Sequence, residues 1–64
     1  MNEEHVFYKV ASDYHKPNWI RKKALKDLSD LLTDKACEYL SKFIRDFHHP
    51  NWLRREAFIH LSQK

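Results

Sequence analysis

Residues 14–24 are Tyr-His-Lys-Pro-Asn-Trp-Ile-Arg-Lys-Lys-Ala, and residues 47–57 are Phe-His-His-Pro-Asn-Trp-Leu-Arg-Arg-Glu-Ala. The two stretches lie 33 positions apart, and the same offset pairs Asp13 with Asp46 just before them. Repetition at a period of this length is typical of repeat architectures. The sequence therefore predicts two copies of one structural unit.

Apolar residues in each copy recur at three- and four-residue steps, the spacing of one face of an α-helix. In the first helix of each copy the expected buried stripe contains Phe7, Val10, Ala11 and Tyr14, matched by Leu40, Phe43, Ile44 and Phe47. The second helix contains Ile20, Ala24, Leu28 and Leu31, matched by Leu53, Ala57 and Leu61. The chain has no glycine, which argues against sheets joined by tight turns. We expect an all-α fold with four helices, near residues 3–14, 17–32, 34–47 and 50–63.

These helices should pack as two stacked αα-hairpins in a single domain, residues 1–64, with repeat 1 at about 1–32 and repeat 2 at about 33–64. Proline sets the bend of each hairpin, because it fits the first turn of a helix and disfavours helical geometry in the residue before it. Asn2 is the expected cap of the first helix, and Thr33 or Asp34 that of the third. Whether the asparagine after each proline caps its helix or belongs to it stays open.

The second helices resemble those of HEAT-type repeats. The residues that carry this likeness are Pro17, Ile20, Arg21, Ala24 and Leu28 in copy one, and Pro50, Leu53, Arg54, Ala57 and Leu61 in copy two. The resemblance covers nearly the whole chain and implies a minimal HEAT-like α-solenoid. It also implies a structural ladder in which Asp13 and Asp46 pair with Arg21 and Arg54. Residues 52–59 are in addition similar to a segment of the HEAT-like DNA alkylation-repair proteins, but that likeness covers one helix and implies no catalytic role.

Small size makes association with another molecule an expected source of stability. A chain of 64 residues buries only about 60% of the surface that its unfolded form exposes. Small domains usually gain stability from disulfides, a structural metal or association. The single cysteine, Cys37, excludes an internal disulfide, and no two of the five histidines have the four-residue helical spacing of a zinc site. We expect no metal and no cofactor, and a partner or an oligomer.

The N-terminal segment and the single cysteine predict a cytoplasmic protein. Residues 1–5 are acidic where a secretory signal is basic, and no apolar run is long enough to span a membrane. One unpaired cysteine is typical of a reducing compartment. A net charge of +3 and an isoelectric point near 9.2 are sufficient to attract an anionic partner.

Residues suited to catalysis are few. A nucleophile needs a base within hydrogen-bond reach, and Cys37 has Glu38 beside it but no histidine one helical turn away. Carboxylates cluster near the expected helix ends, where capping and the helix dipole explain them. The sequence therefore predicts a non-enzymatic protein.

Trp19 and Trp52 occupy the same place in the two bends. In one interpretation, which we favour, each indole closes its own hairpin by packing near Tyr14 or Phe47. In the other, the two indoles form an exposed pair that stacks on bases or anchors a partner peptide.

Basic residues of the second helices are the main candidate binding site. Equivalent helices of stacked repeats lie side by side, so matched charges would form a ridge. Such a ridge contacts phosphates or docks on an acidic protein; the alternative is a solvated helix face with two structural arginines. The candidate residues are Arg21, Lys22, Lys26, Arg54 and Arg55, with Lys16 and Lys23 nearby and with Trp19 and Trp52 as aromatic support.

We expect a binding module for another macromolecule, a protein in preference to a nucleic acid. Phe58 and Ile59 lie off the main apolar stripe of the fourth helix. Apolar groups on more than one side of a helix indicate a contact surface. Self-association as a homo-oligomer, or docking onto a larger partner, is therefore expected through Phe58 and Ile59.

Overall fold

Four α-helices joined by short bends make up the fold. The structure is a computed structural model and describes residues 3–63, in which α1 spans Glu3–Ser12, α2 Asn18–Asp30, α3 Asp34–Arg45 and α4 Asn51–Ser62. These residues contain no strand, and none of their helices has the length and apolar character needed to cross a membrane. The predicted all-α fold class is confirmed. Asn2, the predicted cap of α1, lies outside the described residues.

The bends begin earlier than the sequence predicted, because α1 and α3 each end two residues before their expected ends. In each bend an aspartate side chain holds the backbone. Asp13 Oδ1 accepts the N–H of His15 at 2.9 Å, and the equivalent Asp46 Oδ1 accepts the N–H of His48 at 3.0 Å. Such local bonds compete with continuation of the helix.

Prolines and a threonine start the later helices. Pro17 and Pro50 are the N-caps of α2 and α4, one residue outside the first turn that we predicted, and the asparagine after each is the first helical residue. Thr33 caps α3, where its Oγ1 accepts the N–H of Ala36 at 3.0 Å. The same hydroxyl donates to Glu4 Oε2 at 2.9 Å, so this cap also ties α3 to α1.

The core lies between the two hairpins, copy one (α1 and α2) and copy two (α3 and α4). α1 packs along α2 and α3 along α4, while α2 contacts both helices of copy two and α1 contacts α3. The buried apolar residues are Ala11, Ala24, Leu25, Leu28, Ala36, Leu40, Phe43, Leu53 and Ala57. Leu25 and Ala36 were not part of the predicted stripes. The prediction that Tyr14 and Phe47 belong to these buried stripes is wrong, since both residues lie in the bends and are 57% and 79% exposed.

Leu32, between α2 and α3, adopts a left-handed backbone conformation with φ of 55°. The position after a helix end usually takes glycine, because a side chain costs roughly 1 kcal/mol in this region. The leucine side chain is 75% exposed, so packing offsets little of that cost.

We expect Leu32→Gly to raise the free energy of unfolding by about 0.5–1 kcal/mol. The gain comes from relief of the left-handed strain, and urea denaturation measures it. Leu31→Gly is the matched control and should be destabilising, because Leu31 has an ordinary helical φ of −68° and packs against the core. A loss of stability in Leu32→Gly would contradict this account of the bend.

Candidate functional site

Arg21 lies at the centre of the contact between the two copies. Its Nε–H donates to the carbonyl oxygen of Ala11 at 2.8 Å, and Nη2 donates to His49 Nδ1 at 2.6 Å. Its guanidinium carbon lies 5.3 Å from the centre of the Tyr14 ring. Because only 3% of Arg21 is exposed, this residue is not on the surface where the predicted ridge placed it. It joins the end of α1 to the bend of copy two.

The His49 ring fills the space that Arg21 faces. It stacks on Phe43 at 4.0 Å and on Tyr14 at 5.2 Å between ring centres. Since Nδ1 accepts from Arg21, the neutral ring carries its proton on Nε2, 3.4 Å from Asp46 Oδ2. Burial lowers the pKa of His49; the Asp46 carboxylate opposes this effect and the Arg21 charge adds to it. His49 is therefore a buried neutral histidine.

Arg54 repeats in copy two the contacts that Arg21 makes within copy one. Its Nε–H donates to the carbonyl oxygen of Ile44 at 3.0 Å, and its guanidinium carbon lies 4.6 Å from the centre of the Phe47 ring. Nη1 donates to Asn51 Oδ1 at 2.8 Å. No imidazole covers this arginine in the described structure, and Phe47 stays exposed.

Neither arginine makes the ladder that the family resemblance implies. Asp13 and Asp46 bond to their own bends, and no ion pair joins either of them to an arginine within residues 3–63. Arg21 and Arg54 donate instead to carbonyl oxygens near helix ends. The partial negative charge of a helix C-terminus attracts a guanidinium, so the carbonyl takes the place of the aspartate.

The tryptophans and the other basic residues lie on the outer surface of α2 and α4. Trp19 and Trp52 are 68% and 44% exposed, so neither indole is buried in its bend, and the stacking or anchoring role of the two indoles stays a prediction. The Trp–Lys groove, a shallow groove of about 270 Å³ between α2 and α4, is lined by Trp19, Lys22, Lys23, Lys26, Glu56 and His60. Arg55 is exposed one turn after Trp52, as Lys22 is one turn after Trp19.

Carboxylates accompany the lysines of the Trp–Lys groove. The pairs are Lys22 with Glu56 at 4.0 Å, Lys23 with Asp27 at 3.4 Å and Lys26 with Asp30 at 3.2 Å. Such exposed pairs contribute little to stability. They reduce the positive potential that a phosphate would meet, whereas no carboxylate is paired with the exposed Arg55 in the described part of the chain.

A second groove, of about 370 Å³, is lined by Ser41, Ile44, Arg45, Phe58 and Leu61. Phe58 is 57% exposed and Ile59 is 38% exposed, but Ile59 is not part of this lining. We call the surface formed by Ile44, Phe47, Arg54, Phe58 and Leu61 the open face of copy two. It is an apolar surface with one partly exposed guanidinium, that of Arg54, and the groove beside it is also lined by the exposed Arg45 and the half-buried Ser41.

Within residues 3–63, no three His, Cys, Asp or Glu side chains are placed to hold a metal ion together. The Cys37 thiol is half-buried and unpaired. No protein-family model matches the chain, and neither the curated proteins nor the solved structures contain a significant match.

Proposed function

We propose that this chain is a non-enzymatic binding module that docks on another protein through the open face of copy two. The observation that supports this function is the exposure of Phe47 and Phe58 on either side of Arg54, beside the half-buried Ile44 and Leu61. The Arg54 guanidinium lies over the Phe47 ring, and Phe58 follows Arg54 by one helical turn. Scattered exposed apolar residues are common, but a contiguous patch with polar residues at its edge is typical of a protein contact.

The repeat supports the same function. Stacked helical hairpins present extended surfaces and commonly serve as scaffolds for other proteins. We propose a HEAT-like arrangement for the two hairpins, in line with the resemblance of the second helices, and a cytoplasmic location, in line with the single unpaired cysteine. Self-association through Phe58 and Ile59 is the other form that binding through α4 can take.

Phe58→Asp is expected to abolish capture of a protein partner. The charge would be placed inside the docked apolar patch, while the exposed position of Phe58 leaves the fold intact. The measurement is affinity capture from the native host after nuclease treatment, with circular dichroism to check folding. Val6→Asp is the matched control, because Val6 is 48% exposed but lies on α1. Equal capture by wild type and Phe58→Asp would contradict the proposed site.

A second candidate function is binding of single-stranded nucleic acid along the outer surface of α2 and α4. Both copies expose a tryptophan followed one helical turn later by a cation, Trp19 with Lys22 and Trp52 with Arg55. Indole rings stack on bases whatever their identity, and neighbouring cations contact the phosphates. The carboxylates paired with the lysines make this candidate weaker than the first.

This second function predicts that a single-stranded oligonucleotide binds at low salt and loses affinity steeply as salt rises, because binding releases counterions from the strand. The combined substitution of Lys22 and Arg55 by alanine should weaken binding and flatten the salt dependence. Lys42→Ala, at an exposed position of α3, is the control. Fluorescence titration of the exposed tryptophans is the measurement, and the absence of binding at low salt would leave only protein docking.

A further inference from the structure

Equivalent positions of the two copies differ in what covers them. Leu25 is fully buried, while Phe58, 33 residues later, is 57% exposed. Arg21 is 3% exposed and meets an imidazole, while the equivalent Arg54 is partly exposed and does not. What is interior in copy one is therefore surface in copy two.

The second groove is the equivalent of the contact surface between the copies. The 33-residue offset converts its lining residues to Tyr8, Ala11, Ser12, Leu25 and Leu28. In copy one these residues pack against copy two or lie in the core beside it: Tyr8 stacks on Tyr39 at 4.7 Å, and Leu25 and Leu28 are fully buried. In copy one, the surface equivalent to the second groove is thus covered by the helical hairpin of copy two.

We propose that the open face binds a helical hairpin of a partner protein, seated as copy two is seated on copy one. This proposal depends on the proposed function and names the kind of partner. The first helix of that hairpin would bring small and large apolar residues in the pattern of Ala36, Leu40 and Phe43. Its bend would place an uncharged hydrogen-bond acceptor, such as a neutral imidazole, against the Phe47 ring and within reach of the Arg54 guanidinium, as His49 meets Tyr14 and Arg21.

A second copy of this chain fits the open face poorly in that orientation. Its first hairpin has Lys16 at the position of His49, and Glu3 at the position of Ala36. The lysine ammonium only donates hydrogen bonds and would face the cation of Arg54 among apolar groups. A buried charge without a partner is costly. The side of copy one that would have to dock is therefore unsuited to the open face, and a different chain is the occupant.

The test supplies the proposed partner hairpin as part of one chain. Residues 32–64 are appended after residue 64, which continues the 33-residue register and places a second imidazole opposite Arg54. The readout is amide hydrogen exchange of α4, which reports how firmly that helix is covered. We expect exchange at residues 58–61 to slow by about tenfold or more relative to the original chain.

The control is the same extended chain with His49→Lys in the appended copy, where protection of α4 should return to that of the original chain. No slowing of exchange in the first extended chain, whether or not the appended segment is helical, would overturn the proposal. Equal protection with histidine and lysine would overturn the role of the acceptor.

Sedimentation of the original chain tests the choice of occupant. We expect no head-to-tail oligomers up to high micromolar concentration, and their formation would show that a second copy is accepted. The proposed function is tested separately. If Phe58→Asp loses its protein partner but the extended chain shows no protection of α4, protein docking is supported and the helical hairpin is excluded as the partner element.

Discussion

Arg21→Ala is expected to lower the free energy of unfolding by about 3 kcal/mol, against about 1 kcal/mol for Arg54→Ala. Removal of the guanidinium leaves the Ala11 carbonyl oxygen and His49 Nδ1 buried without their donor. An unsatisfied buried polar group costs about 1–3 kcal/mol. The variant no longer buries the arginine charge, which offsets part of this loss of stability. Arg54 is partly exposed, so water can replace its lost hydrogen bonds.

The difference between the two arginines is the quantity to measure. A domain of this size has a total stability of roughly 3–9 kcal/mol, so Arg21→Ala removes a large share of it. Urea denaturation followed by circular dichroism gives both losses, provided that the dependence on urea concentration stays the same in all variants. Equal losses for the two substitutions would show that the contact between the copies is not centred on Arg21.

Arg21→Lys separates the charge from the geometry. Lysine retains the positive charge but has one ammonium in place of a planar fork, so it cannot reach both Ala11 and His49 in the same way. We expect a loss of stability between those of wild type and Arg21→Ala. A variant as stable as wild type would mean that charge alone accounts for the role of Arg21.

Helices and repeat were predictable because their signals are local. The apolar spacing, the two prolines and the 33-residue offset can all be read directly from the order of residues in the chain. The helix ends were less predictable. In the sequence, an aspartate whose side chain accepts a backbone N–H of its own bend cannot be distinguished from an aspartate in the last turn of a longer helix. The prediction that Tyr14 and Phe47 are buried failed for this reason.

The burial of Arg21 could not be found from the pattern of side chains. Its acceptors are a backbone carbonyl, which every residue has, and an imidazole 28 residues away. A charge matched in two copies predicts a surface ridge as readily as a duplicated structural contact. A signal for His49 did exist: position 49 is the place in the bend where the copies differ in charge, since copy one has Lys16 there.

Acidification from pH 7.5 to pH 5 is expected to lower the melting temperature by several degrees, because His49 is buried in its neutral form. In the unfolded chain His49 takes up a proton near its ordinary pKa of 6.5, and in the folded chain burial holds its pKa lower. Between these two pKa values the unfolded state binds more protons than the folded state, so the free energy of unfolding decreases as the pH is lowered. The stabilisation is complete above pH 6.5 and is lost as pH falls toward the folded pKa.

The groups around His49 do not supply this pH dependence. Asp46 accepts the backbone N–H and the ring N–H of His48, which hold its pKa below the ordinary value of 3.8, so it stays ionised down to pH 5. A guanidinium group does not titrate in this pH range, so the neighbouring arginines are not the source. His48 is the remaining concern, because its Nδ1 lies 3.0 Å from Asp46 Oδ1, and it needs a control of its own.

His49→Gln tests the origin of the effect, because the amide oxygen of glutamine can accept from Arg21 but the side chain does not titrate. We expect a melting temperature that is nearly constant from pH 7.5 to pH 5 in this variant, and an unchanged slope in His48→Gln. If His48→Gln removed the pH dependence of the melting temperature and His49→Gln did not, the dependence would come from His48. A protonated His49 would direct an N–H toward the guanidinium of Arg21 at 2.6 Å, so acid weakens the contact between the copies rather than either hairpin alone.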